Sequence, residues 1–419
     1  MSATREGAIA APQPSSTGAY QVEEVTTEDA LARLEPEWRA LSGEVAGALL
    51  FNSCDWATAC WRHFHRGSSR HADRPMLFVL AVRRAGSLRA VLPLWTETLR
   101  LFGVRTRIAR FLGEGPSDYG DFLLGEPRHE LIDVALAHLA ARHDACDLLD
   151  LREFRGESAN LPHLIDKLRA GRWWVRRSND SDCHLVSAGT DWESYYRGRF
   201  GADSRRYHRR DWRRLERTGA LTVDLLTDVS RSIGLSASFG EVQAMHRNAS
   251  SERPGEFNEP TFRLFLEEML ATASRRGWLR LPILWRDGAI LAYFIVFLYN
   301  GRYYLYNTAY RADCRRFGVG KLLMLYMLER FCAEGGGIID YLRGGETYKE
   351  AWAERVVVNA RIRAARPGLR ALFGRFVWFE LMPMLQVRMP FSYRVLMVAS
   401  AEGLSGIARR VLRRMRRAA

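Results

Sequence analysis

The stretch RADCRRFGVGKLL, residues 311–323, combines arginines, two glycines and the start of an apolar run. Gly318 and Gly320 would let a ligand approach the backbone closely, because no side chain stands in the way. N–H groups at a helix start have no intrahelical acceptor, and the helix dipole makes that end partly positive. The segment therefore predicts a phosphate cradle, with an ordinary glycine-containing helix start as the alternative. The candidate cradle residues are Arg315, Arg316, Phe317, Gly318, Val319 and Gly320.

Other kinds of site lack their sequence patterns here. Neither G-x-x-x-x-G-K-[ST] nor G-x-G-x-x-G occurs, which argues against a nucleoside triphosphatase and a dinucleotide enzyme. No G-x-S-x-G elbow is present, so a serine hydrolase is not expected. His63, His65 and His71 have no further ligand at metal spacing, so we interpret them as surface histidines and expect no metal. No RNA-binding motif is present, and nucleic acid is not an expected partner.

The elements around the candidate cradle alternate between strands and helices. The run 278–310 is β-rich and contains Asp287-Gly288 and Asn300-Gly301, dipeptides favoured in hairpin turns. After the cradle, KLLMLYMLERFCAEGGG predicts a helix, IIDYL a strand, ETYKEAWAE a helical turn and VVVNARIRA a final strand. Residues 20–185 alternate helices and strands with similar texture. The chain is therefore predicted to be an α/β protein built from two halves.

These patterns divide the chain into four segments. We predict that residues 1–19 form a disordered tail and that residues 20–185 and 186–365 form the two halves. Residues 366–419 predict a basic helical tail whose apolar residues share one face among arginines, as in helices that lie on membranes. Those apolar residues are Leu404, Ile407, Val411, Leu412 and Met415.

The net charge of +14 comes almost entirely from arginine, and only three residues are lysine. Such a charge favours acidic partners such as phosphates, anionic glycans, anionic membranes or nucleic acid, although genome base composition alone could explain it. The N-terminus does not have the pattern of a signal peptide, and no uncharged apolar run reaches about 18 residues. We expect a cytoplasmic protein with peripheral contact to the inner membrane through the basic tail.

Two stretches resemble the motifs of a known superfamily. Arg315–Gly320 is similar to the [Gln/Arg]-x-x-Gly-x-[Gly/Ala] signature of the GNAT acyl-CoA N-acyltransferases. DYLRGGETYKEAW resembles D-[FY]-x-R-G-x-E-x-Y-K-x-x-W of its CelD-like branch, named for cellulose biosynthesis. FNSCDWATACWRHF, FLGEGPSDYGDFLL and SRRYHRRDWRRLERTG are similar to other segments of that branch. The resemblance extends over roughly residues 20–365.

This resemblance implies a tandem GNAT-like fold, with mixed central sheets flanked by helices and a degenerate first half. It also implies transfer of an acyl group, acetyl above all, from acyl-CoA to an amine acceptor without a metal. The acceptor would be an amine of a sugar or of a polysaccharide or cell-envelope precursor.

Transfer from a thioester to an amine requires a base for the amine and a proton for the thiolate. Glu346, in a glycine-flanked loop after a strand, is our first candidate base, and Asp340 is the second. Tyr348 is the candidate proton donor, by analogy with the superfamily. An N-cap carboxylate and a packed tyrosine are the structural alternatives for Glu346 and Tyr348. The candidate substrate-binding residues are Arg343, Lys349 and Asn307.

Two other functions stay open at this point. A FemAB-type transferase would use aminoacyl-tRNA, and the arginine-rich helix within 203–219 would then contact RNA, although a solvated face is the simpler interpretation. A non-catalytic accessory protein of polysaccharide biosynthesis would use the glycine loop only as structure, and acyl-CoA would not bind.

Overall fold

Two sheets and the helices that cover them form the described part of the chain. The computed structural model describes residues 19–66, 75–101, 103–228, 238–242, 244, 259–344 and 346–389. Most of the predicted disordered tail and the predicted amphipathic face at 404–415 lie outside these residues. The strands are β1 Tyr20–Val25, β2 Met76–Leu77, β3 Val79–Arg84, β4 Ser87–Leu92, β5 Leu94–Leu101, β6 Val104–Phe111, β7 Leu123–Leu124, β8 Leu148–Phe154, β9 Trp174–Ala188, β10 Leu221–Leu226, β11 Leu279–Arg286, β12 Ala289–Tyr299, β13 Arg302–Tyr310, β14 Gly337–Arg343 and β15 Arg355–Ala365.

Helices connect about half of these strands to the next one along the chain. The α-helices are α1 Glu28–Glu44, α2 Cys54–Cys60, α3 Arg128–Ala141, α4 Asn160–Ala170, α5 Trp192–Arg199, α6 Ala202–Glu216, α7 Pro260–Arg275, α8 Val319–Ala333 and α9 Thr347–Trp352. The last helix of the described residues, α10, runs without a break through Leu369–Arg375, a π-helical turn Phe376–Leu381, and Met382–Arg388. A π-helical turn, Trp61–His65, extends α2, and short 3-10 helices occupy Leu50–Asn52 and Ala312–Phe317.

The two hairpins predicted in the second half are confirmed. Asp287 and Gly288 have φ angles of 51° and 79° and join β11 to β12. Asn300 and Gly301 have φ angles of 48° and 71° and join β12 to β13. Two left-handed residues in succession form the tight turn whose twist matches that of the strands it connects.

Each half contains two parallel strands joined by a helix, and in each pair the strands separate after a few residues. In the second half, β13 pairs with β14 only from Arg302 to Tyr304. In the first half, β6 pairs with β8 only at Ile108 and Ala109. Antiparallel hairpins precede both units, and helices cover the sheets. The predicted α/β class with mixed sheets flanked by helices is confirmed.

The two halves exchange their last strands. The larger sheet has eleven strands in the order β10-β11-β12-β13-β14-β9-β15-β8-β6-β5-β2, and a smaller sheet has the order β1-β3-β4-β7. β9, which ends the first half, pairs with β14 of the second, and β15, which ends the second, pairs with β8 of the first. The boundary drawn from the sequence at residues 185 and 186 therefore falls inside a 15-residue strand.

Helix α10 packs on the first half. Ala371 and Phe379 contact the apolar side chains of Ile108 and Leu148, so the start of the predicted tail belongs to the folded core. The opposite face of the helix exposes apolar side chains three or four positions apart, with one glutamate among them. These exposed residues are Leu369, Leu372, Phe376, Met384 and Val387.

Candidate active site

The glycine loop has the backbone geometry of an anion-binding helix start. Gly318 lies in the left-handed region, with φ 64° and ψ 37°, directly before α8. This conformation is strained for residues with a Cβ and free of cost for glycine. A Cβ on Gly320 would lie 3.3 Å from the Tyr310 ring, so this position has no space for a larger side chain. A 3-10 turn, Ala312–Phe317, precedes Gly318, and the Leu322 N–H donates to the Gly318 carbonyl, as the first α-helical bond of α8. The N–H groups that precede this bond have no acceptor within an α-helix.

Positive side chains surround this loop. Arg315 and Arg316 are exposed, and neither forms an ion pair within the part of the chain that the structure describes. The Phe317 ring lies between two guanidinium groups, that of Arg316 at 4.8 Å and that of Arg214 from α6 at 5.7 Å. The loop and the arginine-rich helix therefore form one cationic surface, which suits a phosphate ligand.

The strands that diverge beside the loop open a V-shaped gap. A β-bulge in β13 makes Tyr306 the extra residue, because Ile295 faces Asn307 and Val296 faces Leu305. Bulges re-aim side chains next to active sites. The Tyr306 hydroxyl donates a hydrogen bond of 2.9 Å to the carbonyl oxygen of Pro116, in a loop of the first half. The first half therefore contacts β13 directly at the gap.

Tyr348 lies across this gap from β13. Its hydroxyl is hydrogen-bonded to the side chain of Thr308, and burial raises the pKa of Tyr348 well above its usual range. A phenol with a raised pKa keeps its proton at neutral pH. Tyr348 is thus a protonated hydroxyl held by α9 against β13.

Asn307 belongs to the other face of the sheet. Its Oδ1 accepts a hydrogen bond of 3.0 Å from the Tyr293 hydroxyl, and its side chain is buried. Its neighbour Ala309 belongs to the apolar cluster of α7, whereas Tyr348 and Tyr310 belong to the cluster of α8. The structure thus places Asn307 and Tyr348 on opposite faces of β13.

Asp340 is an interior residue with a full set of partners. It is 0% exposed, and its Oδ2 accepts hydrogen bonds from the Tyr119 hydroxyl at 2.9 Å and from Arg302 at 3.2 Å. Its Oδ1 accepts the backbone N–H of Leu342 at 2.9 Å. Burial raises the pKa of Asp340, and Arg302 opposes the rise. Because Tyr119 belongs to the first half, this cluster joins the two halves.

Arg343, at the end of β14, reaches into the first half. Its guanidinium lies 2.6 Å from Asp118 Oδ1, donates to the carbonyl of Gly115 at 2.7 Å and approaches Glu153 at 3.4 Å. Burial raises the pKa of Asp118 to about 7, although Arg343 and Lys349 lower it. Asp118 is therefore a carboxyl that changes protonation near neutral pH.

Lys349 and Glu346 hold the loop between β14 and α9. The Lys349 ammonium is buried. It donates a hydrogen bond of 2.6 Å to the Arg343 carbonyl oxygen and lies 3.0 Å from Glu346 Oε2. Glu346 is exposed. Gly344 has φ 130°, and a Cβ there would meet both charged groups. Lys349 thus interacts with the backbone and the carboxylate of its own loop. Glu346 is exposed to solvent while it is paired with Lys349.

Sequence reasoning missed four residues that the fold brings to this region. Asp118 and Tyr119 lie in the SDYGD stretch, which was noted only for its resemblance to a family segment. Thr308 and Glu153 lie inside strands, and nothing in their local sequence distinguishes them. Glu153 has a left-handed φ of 52°, which sequence patterns do not reveal for a non-glycine residue.

The expectation of surface histidines was wrong for His65. Its side chain is buried, stacks on Trp95 at 4.3 Å and bonds the Leu112 carbonyl, so burial lowers its pKa to about 4. His63 contacts Glu268, and His71 lies outside the described residues. Within the described ranges no group of three or more potential ligands is arranged to hold a metal ion. Within those same ranges, no helix has the length and apolar character needed to cross a membrane.

Comparisons with known proteins find a family match for one segment of the chain and similar folds among solved structures. Residues 202–350 match the family model described as acetyltransferase (GNAT) domain. The solved structure of FemX is similar over 82% of this chain and 96% of its own, with a TM-score of 0.58 and 10% identity. A tandem GNAT protein from the clavulanic acid biosynthesis pathway matches over 84% of this chain and 100% of its own, with a TM-score of 0.45 and 12% identity. No curated protein sequence matches the chain.

Proposed function

We propose that this chain, a GNAT-type transferase by its domain match and fold, moves an acyl group from acyl-CoA to an amine. The observation that carries the proposal is the left-handed Gly318 at the start of α8, beside the gap between β13 and β14. The exposed Arg315 and Arg316 support a diphosphate ligand there. Acetyl is the acyl group we expect, and the amine of a sugar or cell-envelope precursor is the acceptor implied by the resemblance.

The chemistry requires a proton donor and a proton acceptor, and we assign them to one side chain at the gap and to one in the first-half loop that Arg343 contacts. The amine nitrogen attacks the thioester carbonyl carbon, the C–S bond breaks, the amine loses a proton and the thiolate gains one. We propose Tyr348 as the proton donor, because its hydroxyl is hydrogen-bonded to Thr308 of β13 at the gap and carries its proton at neutral pH. We propose Asp118 as the proton acceptor, because its pKa of about 7 suits a base at neutral pH. Glu346 remains the competing base, and Asp340 receives no proton-transfer role because it is buried among three donors.

Donor binding is the first test. Isothermal titration with acetyl-CoA is expected to show binding by the wild type, and Arg315→Gln with Arg316→Gln should weaken it at least about tenfold, since charge-assisted hydrogen bonds contribute roughly 1.5–3 kcal/mol. Arg197→Gln, on the exposed face of α5 and paired with Glu193, is the matched control and should leave affinity unchanged. Absence of binding at millimolar acetyl-CoA, or equal affinity of the double variant, would refute the proposal.

An aminoacyl-tRNA is the alternative donor, and the surface of α6 favours it. Arg209, Arg213 and Arg217 are exposed, and within the described part of the chain none forms an ion pair. The same helix contacts the glycine loop through Arg214 and Phe317. Tight, salt-sensitive tRNA binding together with absent acetyl-CoA binding would select this alternative.

Peripheral membrane contact is a further part of the proposal. The exposed apolar face of α10 supports it, and the arginine-rich sequence 409–417 follows in the chain. The full chain is expected to float with vesicles containing phosphatidylglycerol, whereas a form ending at residue 399 with Leu369→Glu and Phe376→Glu should not. Vesicles of phosphatidylcholine alone are the control, and equal flotation of both forms would exclude this contact.

A further inference from the structure

A cavity of about 250 Å³ lies between the two halves at the end of β14. At ~30 Å³ per water, this is room for roughly eight waters, or a small organic unit. Both halves supply its lining, since Arg343 comes from the second half and the other residues from the first. Those used below are Phe111, Glu114, Tyr119, Asp121, Arg152 and Glu153.

The cavity adjoins the gap between β13 and β14. Arg343 is the last residue of β14 and lines the cavity. Tyr306, the bulged residue of β13, donates to Pro116 in the loop that walls the cavity. Both diverging strands therefore contact the cavity wall. A ligand there would lie beside the gap in which the proposed function requires the acyl group.

Two residues with left-handed backbone conformations lie in or next to the cavity lining. Glu153 near the end of β8 has φ 52°, and Leu342, next to Arg343 near the end of β14, has φ 60°. Left-handed conformations at non-glycine residues cost about 1–3 kcal/mol and cluster at functional sites. Glu153 is held by hydrogen bonds from Ser181 and from Asn359, the latter at 3.1 Å. The fold therefore maintains two costly conformations to keep Glu153 and Arg343 at one cavity.

The cavity is acidic although the chain has a net charge of +14. Three carboxylates line it (Glu114, Asp121 and Glu153), against two guanidinium groups. Those guanidinium groups are also paired outside the lining, Arg343 with Asp118 and Arg152 with Asp180. Of the three carboxylates, Glu114 is likewise paired outside the lining, with Arg110. Phe111 and Tyr119 also contribute to the lining.

We propose that this cavity is the acceptor site and that it takes a primary ammonium group on a small polar carrier, with Glu153 as its anionic partner. The assignment as an acceptor site rests on the proposed function, whereas ammonium binding can be measured without any donor. The ammonium would donate to the Glu153 carboxylate, and the Arg343 guanidinium pairs with both Glu153 and Asp118.

Matched ligand pairs test this proposal on the full chain. Titration with glucosamine against glucose, and with glycinamide against acetamide, isolates the amine, and only the amine members are expected to bind. Glu153→Gln should weaken glucosamine binding by about tenfold or more, as expected for a lost charge-assisted hydrogen bond. Glu157→Gln is the control, because Glu157 pairs with Arg355 outside the cavity lining. Acetyl-CoA affinity should be the same in both variants.

Each outcome decides one of the two proposals. Equal binding within the pairs, no binding of any member, or unchanged affinity in Glu153→Gln overturns the ammonium site. Amine binding by a wild type that fails to bind acetyl-CoA keeps the site and refutes the acyl-CoA donor. If circular dichroism shows that Glu153→Gln is unfolded, Glu114→Gln replaces it, with a weaker affinity for glucosamine expected from the loss of another lining carboxylate.

Discussion

Replacing Asp340 with alanine is expected to lower the free energy of unfolding by about 3–5 kcal/mol, the cost of leaving a buried charge without its partner. The carboxylate is 0% exposed, and the side chain of Arg302, its ion-pair partner, is only 12% exposed. The substitution also removes the acceptor of the Tyr119 hydroxyl, which belongs to the other half of the chain. Urea denaturation followed by circular dichroism measures the effect.

Asp313→Ala is the matched control for this change. Asp313 also pairs with an arginine, Arg311, but the aspartate side chain is 56% exposed. Exposed ion pairs contribute about 0–1 kcal/mol, so the control should remain near wild type. If Asp340→Ala unfolded within 1 kcal/mol of the control, the buried cluster would not join the halves.

Turnover at saturating donor is expected to increase with pH through about 7, because Asp118 must lose its proton before it can accept one from the amine. Asp118→Asn should lower kcat by about 10²–10⁴-fold, the usual contribution of a general base, and should flatten the pH profile. Initial rates from pH 5 to 9, measured by release of the free thiol, test both expectations.

Glu346→Gln is the comparison for this experiment. Glu346 is exposed and paired with Lys349, so this variant should keep most of its turnover and the pH profile of the wild type. The opposite pattern, with activity lost in Glu346→Gln and kept in Asp118→Asn, would return the role of base to Glu346.

The Asp118 carboxyl also makes the stability of the protein depend on pH, in a direction that follows from its raised pKa. Burial raises the pKa of Asp118 from 3.8 to about 7, so the folded state holds this proton more tightly than the unfolded state. Its contribution to stability is therefore most favourable below pH 4 and declines as pH rises to about 7. Asp118→Asn should accordingly match the wild type in melting temperature at pH 4 and exceed it at pH 8.

Features set by neighbouring residues could be predicted from the sequence, and features set by distant contacts could not. Asp287-Gly288 and Asn300-Gly301 form turns through their own backbone preferences. The environment of Asp340 depends on Tyr119, which is 221 positions away in the sequence. The motif around Asp340 therefore could not reveal that its carboxylate is buried. His65 is polar by type, yet it is enclosed by Trp95 and Leu112. Strand patterning predicts that β15 forms, in VVVNARIRA, whereas it does not identify its partners β8 and β9.

The exchange of terminal strands also has consequences while the chain is being synthesised. β8 acquires its neighbour β15 only after roughly 200 further residues have been added, which takes about 10–40 s at 5–20 residues per second. Until then the nascent first half exposes an open strand edge, which can pair with other chains. β9 likewise has to wait for β14. Neither half can therefore complete its sheet before strands of the other half have been synthesised. We expect the nascent chain to need protection at the open edge of β8 until β15 has been made.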